Sequence, residues 1–394
     1  MSRRLAVILS HPTQYYSPWF RWLAAHTDLT LRVFYLWEFG VTRQRDRQFG
    51  TAFQWDVDLL SGYAHEFVPN ISQDPGTHHF RGLDNPTLNE RLAAWRPTAV
   101  LMFGYAWLSH LRTIAWARTR GVPLIFRGDS HFIGRGAPRW PKRMLLHLLY
   151  RQFRAFLPVG SANQDYFCAL GVQPNRLFFA PHAVDDSLFD PSEARHQAAA
   201  ASLRASLSIT TDQTVVLFAG KFLPAKQPVE LLRAFVALRD PRATLVFVGD
   251  GPLRPDLEKI AAEHPDIQVR FLPFANQSEM PARYLLADLF VLASRGLYET
   301  WGLAVNEAMH MGVPALVSER VGCQRDLVRP NETGWVLQVD EPPEVFVRTL
   351  DQAIAEVRTR RSHWREVVRT HIRAYTFPRT TDGLLAALQS LSSP

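Results

Sequence analysis

Compact apolar runs alternate along this chain with longer stretches whose apolar positions recur at helical spacing. A short apolar run bounded by turn residues reads as a buried strand, and recurrence every three to four residues reads as a helix with one packed face. The first series predicts strands at 4–9, 29–35, 100–103, 123–126 and 156–159, with helices between them, the first at 18–26. Positions 40–90 are less regular and carry polar clusters such as Gln73-Asp-Pro-Gly-Thr-His-His79. After Asp185 the pattern loosens, and 191–200 reads as an exposed helical connector. A second series follows, with strands at 214–218, 244–248, 269–272, 289–293 and 315–317, helices at 228–238 and 253–264, and a helical C-terminus. Alternating strands and helices imply parallel sheets with right-handed crossovers. Two such series predict an α/β chain of two doubly wound, Rossmann-like domains, 1–190 and 191–377, with ligand held at the carboxyl ends of the strands.

Composition narrows the class. At 394 residues the chain is too long for one ordinary domain. Its 47% hydrophobic and 21% charged content is that of a globular protein. No apolar stretch is long enough to span a bilayer. The N-terminus is charged and then apolar, but it runs into His11-Pro12 without a small-residue cleavage site, so it reads as a first strand and not as a signal peptide. Two cysteines, Cys168 and Cys323, make neither a disulfide framework nor a metal cluster, which fits a reducing cytoplasm. A formal charge of +7 admits nucleic acid, anionic membrane or a polyanionic substrate as partner. With no nucleic-acid motif in the chain, nucleic acid ranks last. The stretch 139–156 is a basic amphipathic helix. Because a strand follows it at once, the preferred reading is a crossover helix buried on its Leu face; the alternative is peripheral contact with the inner face of a membrane.

The densest chemistry lies at 292–314. An apolar strand there leads into a polar loop, a helix starting near Leu303, Gly-Val-Pro314 and another strand. Glu299 falls in the loop and Glu307 about one turn inside the helix. Amides around Gly302 and Leu303 would be unpaired at the helix start, where the dipole favours an anion. Phosphate at that end with two carboxylates nearby suits a nucleotide sugar. Upstream, Val216-Leu-Phe-Ala-Gly-Lys-Phe-Leu-Pro-Ala-Lys226 runs from a strand through Gly220 to two lysines, Lys221 and Lys226, before a helix. These could neutralise a diphosphate leaving group without metal, and the plain alternative is two surface lysines. Gly249, in Val248-Gly-Asp-Gly-Pro252, would let backbone approach a ligand closely.

Taken in order, Gly220-Lys221, Lys226, Val248–Pro252, Phe271-Leu-Pro-Phe274, Ser294, Glu299, Glu307 and Gly312-Val-Pro314 resemble the retaining glycosyltransferases of family 4. The resemblance covers most of the chain and is most specific over 214–340. It implies the GT-B fold, two facing Rossmann-like domains with a cleft between them, and a last helix, about 378–394, that packs back on the first domain. It implies a hexosyltransferase-type enzyme that takes a UDP- or GDP-activated sugar as co-substrate and needs no metal or other cofactor. Glu307 would bind the ribose hydroxyls, Glu299 the hydroxyls of the transferred sugar, and Lys221 and Lys226 the diphosphate. Backbone at Trp301, Gly302 and Leu303 would meet phosphate and sugar, and Phe274 would lie against the base. The chain departs from the family where Lys221 stands in place of the usual Arg, keeping the charge but losing bidentate geometry. Thr300-Trp301 replaces the commoner Ser-Phe. Retaining transfer implies same-face attack through an oxocarbenium-like ion pair, which calls for stabilising the leaving phosphate more than for acid–base groups.

In the first domain, the loop after the first strand carries His11, Gln14 and Tyr15, candidates for acceptor or sugar contact set against ordinary capping and packing. Arg127, Asp129 and His131 follow another strand end, where one of them would contact the transferred sugar; Asp129 stands where the family usually has His. The catalytic candidates are therefore Glu299, Asp129 and Lys226. Asp56-Val-Asp58 matches a metal-binding pattern of another transferase fold, but it is short and sits in the wrong domain. The acceptor is a glycan, a glycolipid or a small molecule. Two alternatives keep the fold, namely a sugar phosphorylase or an epimerase, and a third is a non-catalytic sugar-nucleotide-binding partner.

Overall fold

The computed structural model describes residues 3–41, 44–45, 52–296 and 299–391. Leu297 and Tyr298 of the loop before Glu299, and 392–394 of the expected last helix, lie outside the described residues. The chain forms two compact units, one of Met1–Ser130, Ala137–Pro181 and Phe377–Pro394, the other of His131–Gly136 and His182–Thr376. The division thus falls at Pro181 and not at 190, and the segment after Ser130 groups with the second unit.

The strands are β1 (Arg4–Leu9), β2 (Thr30–Tyr35), β3 (Gln44–Arg45), β4 (Ala52–Phe53), β5 (His65–Phe67), β6 (Ala99–Phe103), β7 (Leu124–Arg127), β8 (Ala155–Leu157), β9 (Thr214–Ala219), β10 (Ala243–Val248), β11 (Val269–Leu272), β12 (Leu289–Leu292), β13 (Ala315–Ser318) and β14 (Gly334–Leu337). The first unit holds the sheet β5-β2-β1-β6-β7-β8 and the second the sheet β11-β10-β9-β12-β13-β14, while β3 and β4 make a separate antiparallel pair. Every ladder within the two large sheets is parallel. Helices cover both faces of such sheets, which is why their strands read as unbroken apolar runs. Val216, Leu217 and Phe218 of β9 are buried, as are Leu245 and Phe247 of β10. Of these, Val216, Phe218, Leu245 and Phe247 share one face and pack with Leu231, Phe235, Leu350, Ile354 and Trp364 from the covering helices.

Each sheet has the doubly wound order 3-2-1-4-5-6. The order reverses between β1 and β6 in the first unit and between β9 and β12 in the second. At such a reversal the loops leaving the two central strands diverge and open a crevice at the carboxyl ends. In the second unit these are the loops carrying Gly220–Lys226 and Ser294–Glu299.

Several expectations shift. The irregular stretch after residue 40 contains β5 and the helix Leu88–Trp95. The connector becomes the helix Ala194–Ser206, half anchored in the second unit by buried His196 and Ala200. The basic stretch at 139–156 forms a helix only over Trp140–Tyr150, and its leucines are only partly buried: Leu146 and Tyr150 point inward, whereas Leu145 and Leu148 are exposed. The last helix, Phe377–Ser390, packs in the first unit. There Trp19 Nε1 donates to Thr381 Oγ1 at 3.0 Å and Thr380 Oγ1 donates to the Pro181 carbonyl at 2.8 Å.

Candidate functional site

In the second unit the two switch-point loops are tied to each other. The Arg295 amide donates to the Ala225 carbonyl at 2.8 Å and the Gly296 amide to the same oxygen at 3.2 Å. Lys226 ends a short 3-10 turn, Pro224–Lys226, and the following Gln227 takes a left-handed conformation to start the next helix. This turn delivers the Lys226 ammonium to the Glu299 carboxylate, where the two form an ion pair. Ser294 Oγ donates to the same carboxylate oxygen at 2.9 Å. Both side chains of the ion pair keep some exposure, 28% for Lys226 and 15% for Glu299, so each is reachable from solvent. Lys221 lies half-buried on the same loop as Lys226.

The backbone around Glu299 is fixed from the β13 side. Its carbonyl accepts from the Gly322 amide at 3.1 Å, and the Trp301 carbonyl accepts from Cys323 at 2.9 Å. A Cβ built on Gly322 would stand 1.8 Å from the Thr300 carbonyl oxygen, so this close approach requires glycine. Trp301 is buried, its Nε1 donates to Asn306 Oδ1 at 2.8 Å, and Asn306 Nδ2 donates to the His182 carbonyl at 3.2 Å. The helix Leu303–His310 begins after Gly302, which has φ of 96° and supplies no capping side chain. Its first amides therefore have no side-chain acceptor at the cap.

Glu307 is buried on this helix. Tyr284 OH donates to its Oε2 at 2.7 Å and Gln277 Nε2 to its Oε1 at 3.0 Å. The sequence reading found neither donor, because nothing local links Gln277 or Tyr284 to Glu307. Asn306 was missed too, although its place beside Glu307 in the richest segment was a usable signal. Phe274, in the loop after β11, is 39% exposed. Gly249 follows β10 in the same unit. With φ of 137°, its hypothetical Cβ would lie 2.1 Å from the Gly220 carbonyl oxygen. The backbone that comes close there is the neighbouring turn of the same unit.

In the first unit, His11 donates to or accepts from Ser10 Oγ at 3.0 Å and meets the rings of Trp37 and Phe39 edge-on. Burial pushes its pKa down to about 4, so the ring is neutral near pH 7. Gln14 and Tyr15 are half-buried in the same loop. Arg127 turns inward: it is 1% exposed, donates to the carbonyls of Ala180 and Pro181 at 2.7 and 3.2 Å, and lies 5.4 Å from the Trp19 ring centre. It holds the backbone at Ala180 and Pro181, where the chain leaves the first unit, and offers no surface to a sugar. Tyr16, also missed, faces Arg127; burial pushes its hydroxyl up to about 12 against the opposing pull of Arg127. Asp129 lies half-buried after β7 and acts electrostatically on both. His131 groups with the second unit, buried, with Cδ2 3.1 Å from where a Gly322 Cβ would be. It therefore sits against the strap that holds Glu299.

Asp58 of Asp56-Val-Asp58 accepts the amides of Leu60 and Ser61, which lowers its pKa, so the carboxylate closes a turn. Among the described residues, one group of side chains is close enough to share a metal: Asp74, His78 and His79, on an exposed loop of the first unit.

Residues 200–370, nearly the whole of the second unit, match the family model described as glycosyl transferases group 1. The chain is 30% identical over 289 residues to the D-inositol 3-phosphate glycosyltransferase of Frankia alni, covering 67% of each chain. It belongs to the group 1 glycosyltransferase family. It is also 26% identical over 289 residues to the sulfoquinovosyl transferase SQD2 of Arabidopsis thaliana, covering 70% of this chain and 52% of the relative. The chain spans about half the length of the first curated relatives it matches. Among solved structures, Anabaena HepE in complex with UDP and glucose superposes with a TM-score of 0.72 at 14% identity, covering 98% of this chain and 100% of HepE. That likeness shows the fold, α/β with two parallel six-stranded sheets, as in GT-B glycosyltransferases.

Proposed function

We propose that this chain is a retaining, metal-independent glycosyltransferase of family 4 that moves a sugar from a UDP- or GDP-activated donor to a glycan, glycolipid or small-molecule acceptor. The observation that carries this reading is the Lys226–Glu299 pair, with Ser294, on the two loops that flank the β9/β12 switch point. A doubly wound sheet binds ligand at this place. Lys226 and Lys221 supply fixed positive charge for the diphosphate as the bond to the anomeric carbon breaks. The first amides of the helix Leu303–His310 add donors at its positive end. Glu299 accepts hydroxyls of the transferred sugar, and Glu307, oriented by Gln277 and Tyr284, accepts those of the ribose. Phe274 lies against the base.

The acceptor hydroxyl attacks from the face the diphosphate leaves, and the departing phosphate oxygen takes its proton. The first unit's switch-point loop is poor in charge, with His11 neutral, which suits hydroxyl-rich ligands better than a diphosphate. Asp129 remains the catalytic candidate there, with Gln14 and Tyr15 as contacts. Arg127 is given a positioning role. Two unpaired cysteines fit a reducing, cytoplasmic setting.

The test is a thermal-shift screen of UDP, GDP, ADP and TDP and their sugars with EDTA present, followed by turnover with the donor that binds. UDP comes first, since HepE binds it. Lys226→Ala and Glu299→Ala are each expected to lower kcat/KM by roughly 10²–10³-fold with an unchanged circular dichroism spectrum. Wild-type turnover in either variant would overturn the reading. Sugar phosphate released from inorganic phosphate would move it to a phosphorylase, and isomerised donor without acceptor to an epimerase.

A further inference from the structure

The helix Trp140–Tyr150 has two apolar faces, and only one has a partner within the first unit. Leu146 and Tyr150 are buried, while Trp140 is 72% exposed, Leu145 65%, Leu148 53% and Met144 41%. At roughly 100° per residue, the four exposed side chains fall within an arc of about 140°, opposite the two buried ones. Isolated exposed apolar residues are ordinary, but a contiguous stripe on one helix marks a surface that something covers. Cations border the stripe. Arg139, Lys142, Arg143 and Arg151 are all exposed, and no Asp or Glu occurs anywhere from 137 to 164.

We propose that this helix docks the protein on an anionic lipid bilayer, lying in the plane of the interface with Trp140, Met144, Leu145 and Leu148 in the acyl boundary. Charge complementarity names the occupant. An anionic bilayer offers phosphates at the depth of the Lys and Arg heads and hydrocarbon just below, which matches an apolar stripe edged by cations. A neutral protein partner would leave the cations without a role, and a nucleic acid would leave the stripe without one. Trp140, at the helix start, has the amphipathic ring favoured at headgroup depth. The contact is peripheral, because among the described residues no helix is long and apolar enough to cross a membrane. The inference stands apart from the transfer reaction, since none of these residues belongs to the donor site.

Flotation of the whole protein with phosphatidylcholine vesicles, with and without phosphatidylglycerol, tests it. Wild type is expected to float with the phosphatidylglycerol vesicles and far less with phosphatidylcholine alone. Leu145→Glu with Leu148→Glu should weaken partitioning by more than about tenfold. Lys142→Gln with Arg151→Gln should weaken it by about fivefold per charge removed, only where phosphatidylglycerol is present. All four positions are exposed, and thermal melting controls for folding. Failure of wild type to float, or flotation unmoved by the Leu pair, overturns the proposal. So does a Leu pair that turns an oligomer into a monomer in light scattering while wild type ignores vesicles, because a second copy would then be the occupant.

Discussion

At the scale of single residues, the site depends on side chains that hold other side chains. Glu307 is a buried carboxylate with Gln277 and Tyr284 as donors, so removing one donor both loosens its aim and leaves a buried acceptor less satisfied. Tyr284→Phe is expected to lower unfolding free energy by about 1–3 kcal/mol and to weaken binding of the cognate nucleoside diphosphate. Denaturant unfolding and calorimetry measure the two, and unchanged affinity would remove Tyr284 from the positioning of Glu307. The separations explain why this clamp was illegible in the sequence. Gln277 and Tyr284 lie 30 and 23 positions from Glu307, and only the folded second unit brings them together. Glu307 itself was legible, because strand, loop, glycine and helix in that order place a carboxylate one turn inside the helix. A second residue-scale consequence concerns acid. Burial lowers His110 to about 3, and His11 and His310 to about 4, from an ordinary 6.5. Folded, these rings stay neutral, so on acidification the unfolded chain binds their protons first. Stability is therefore full above about pH 6.5 and falls as pH drops toward about 4. His110→Leu should reduce the slope of stability against pH by roughly 1.4 kcal/mol per unit within that window. An unaltered slope in urea titrations at several pH values would show that His110 takes no part.

At the scale of elements, the strand-to-helix turns set the site. Gly249 and Gly220 end adjacent strands, and their backbones approach so closely that a Cβ on Gly249 would lie 2.1 Å from the Gly220 oxygen. Because φ at Gly249 is also 137°, Gly249→Ala combines overpacking with backbone strain and should cost about 3 kcal/mol or more. It should also push away the loop that carries Lys221 and Lys226, so nucleotide affinity should fall with stability. Full nucleotide affinity in a folded Gly249→Ala protein would show that the loop is positioned independently of this turn. The strand series was legible because parallel strands are covered on both faces and read as apolar runs. The helix Trp140–Tyr150 was read only in part, for a related reason. A Leu-rich face followed at once by a strand implies burial, and periodicity does not tell a face that meets a sheet from one left exposed, as Leu145 and Leu148 are. The inward course of Arg127 was equally hidden, since a strand-end arginine can turn toward a ligand or toward its own chain, and here the carbonyls of Ala180 and Pro181 capture it.

At the scale of the whole molecule, the chain repeats one sheet order twice, so topology alone provides two equivalent places for a ligand. Charge separates them. The loop that leaves β9 at the β9/β12 crevice carries Lys221 and Lys226, whereas the loop after β1 offers a neutral His11 among aromatic rings. A diphosphate gains more from fixed cations in a partly desolvated site than from neutral donors, so the nucleotide should bind the second unit and stabilise it first. Ligand binding slows local opening where its contacts lie, and hydrogen exchange reads that opening segment by segment. With a saturating nucleoside diphosphate and no acceptor, exchange should slow in the loops holding Gly220–Lys226 and Ser294–Glu299 and in the helix Leu303–His310, and much less around β1 and β6. Protection centred on residues 10–16 and 104–107 would place the nucleotide in the first unit and reverse the roles assigned to the two crevices. Protection spread evenly over both sheets would mean that charge does not separate them.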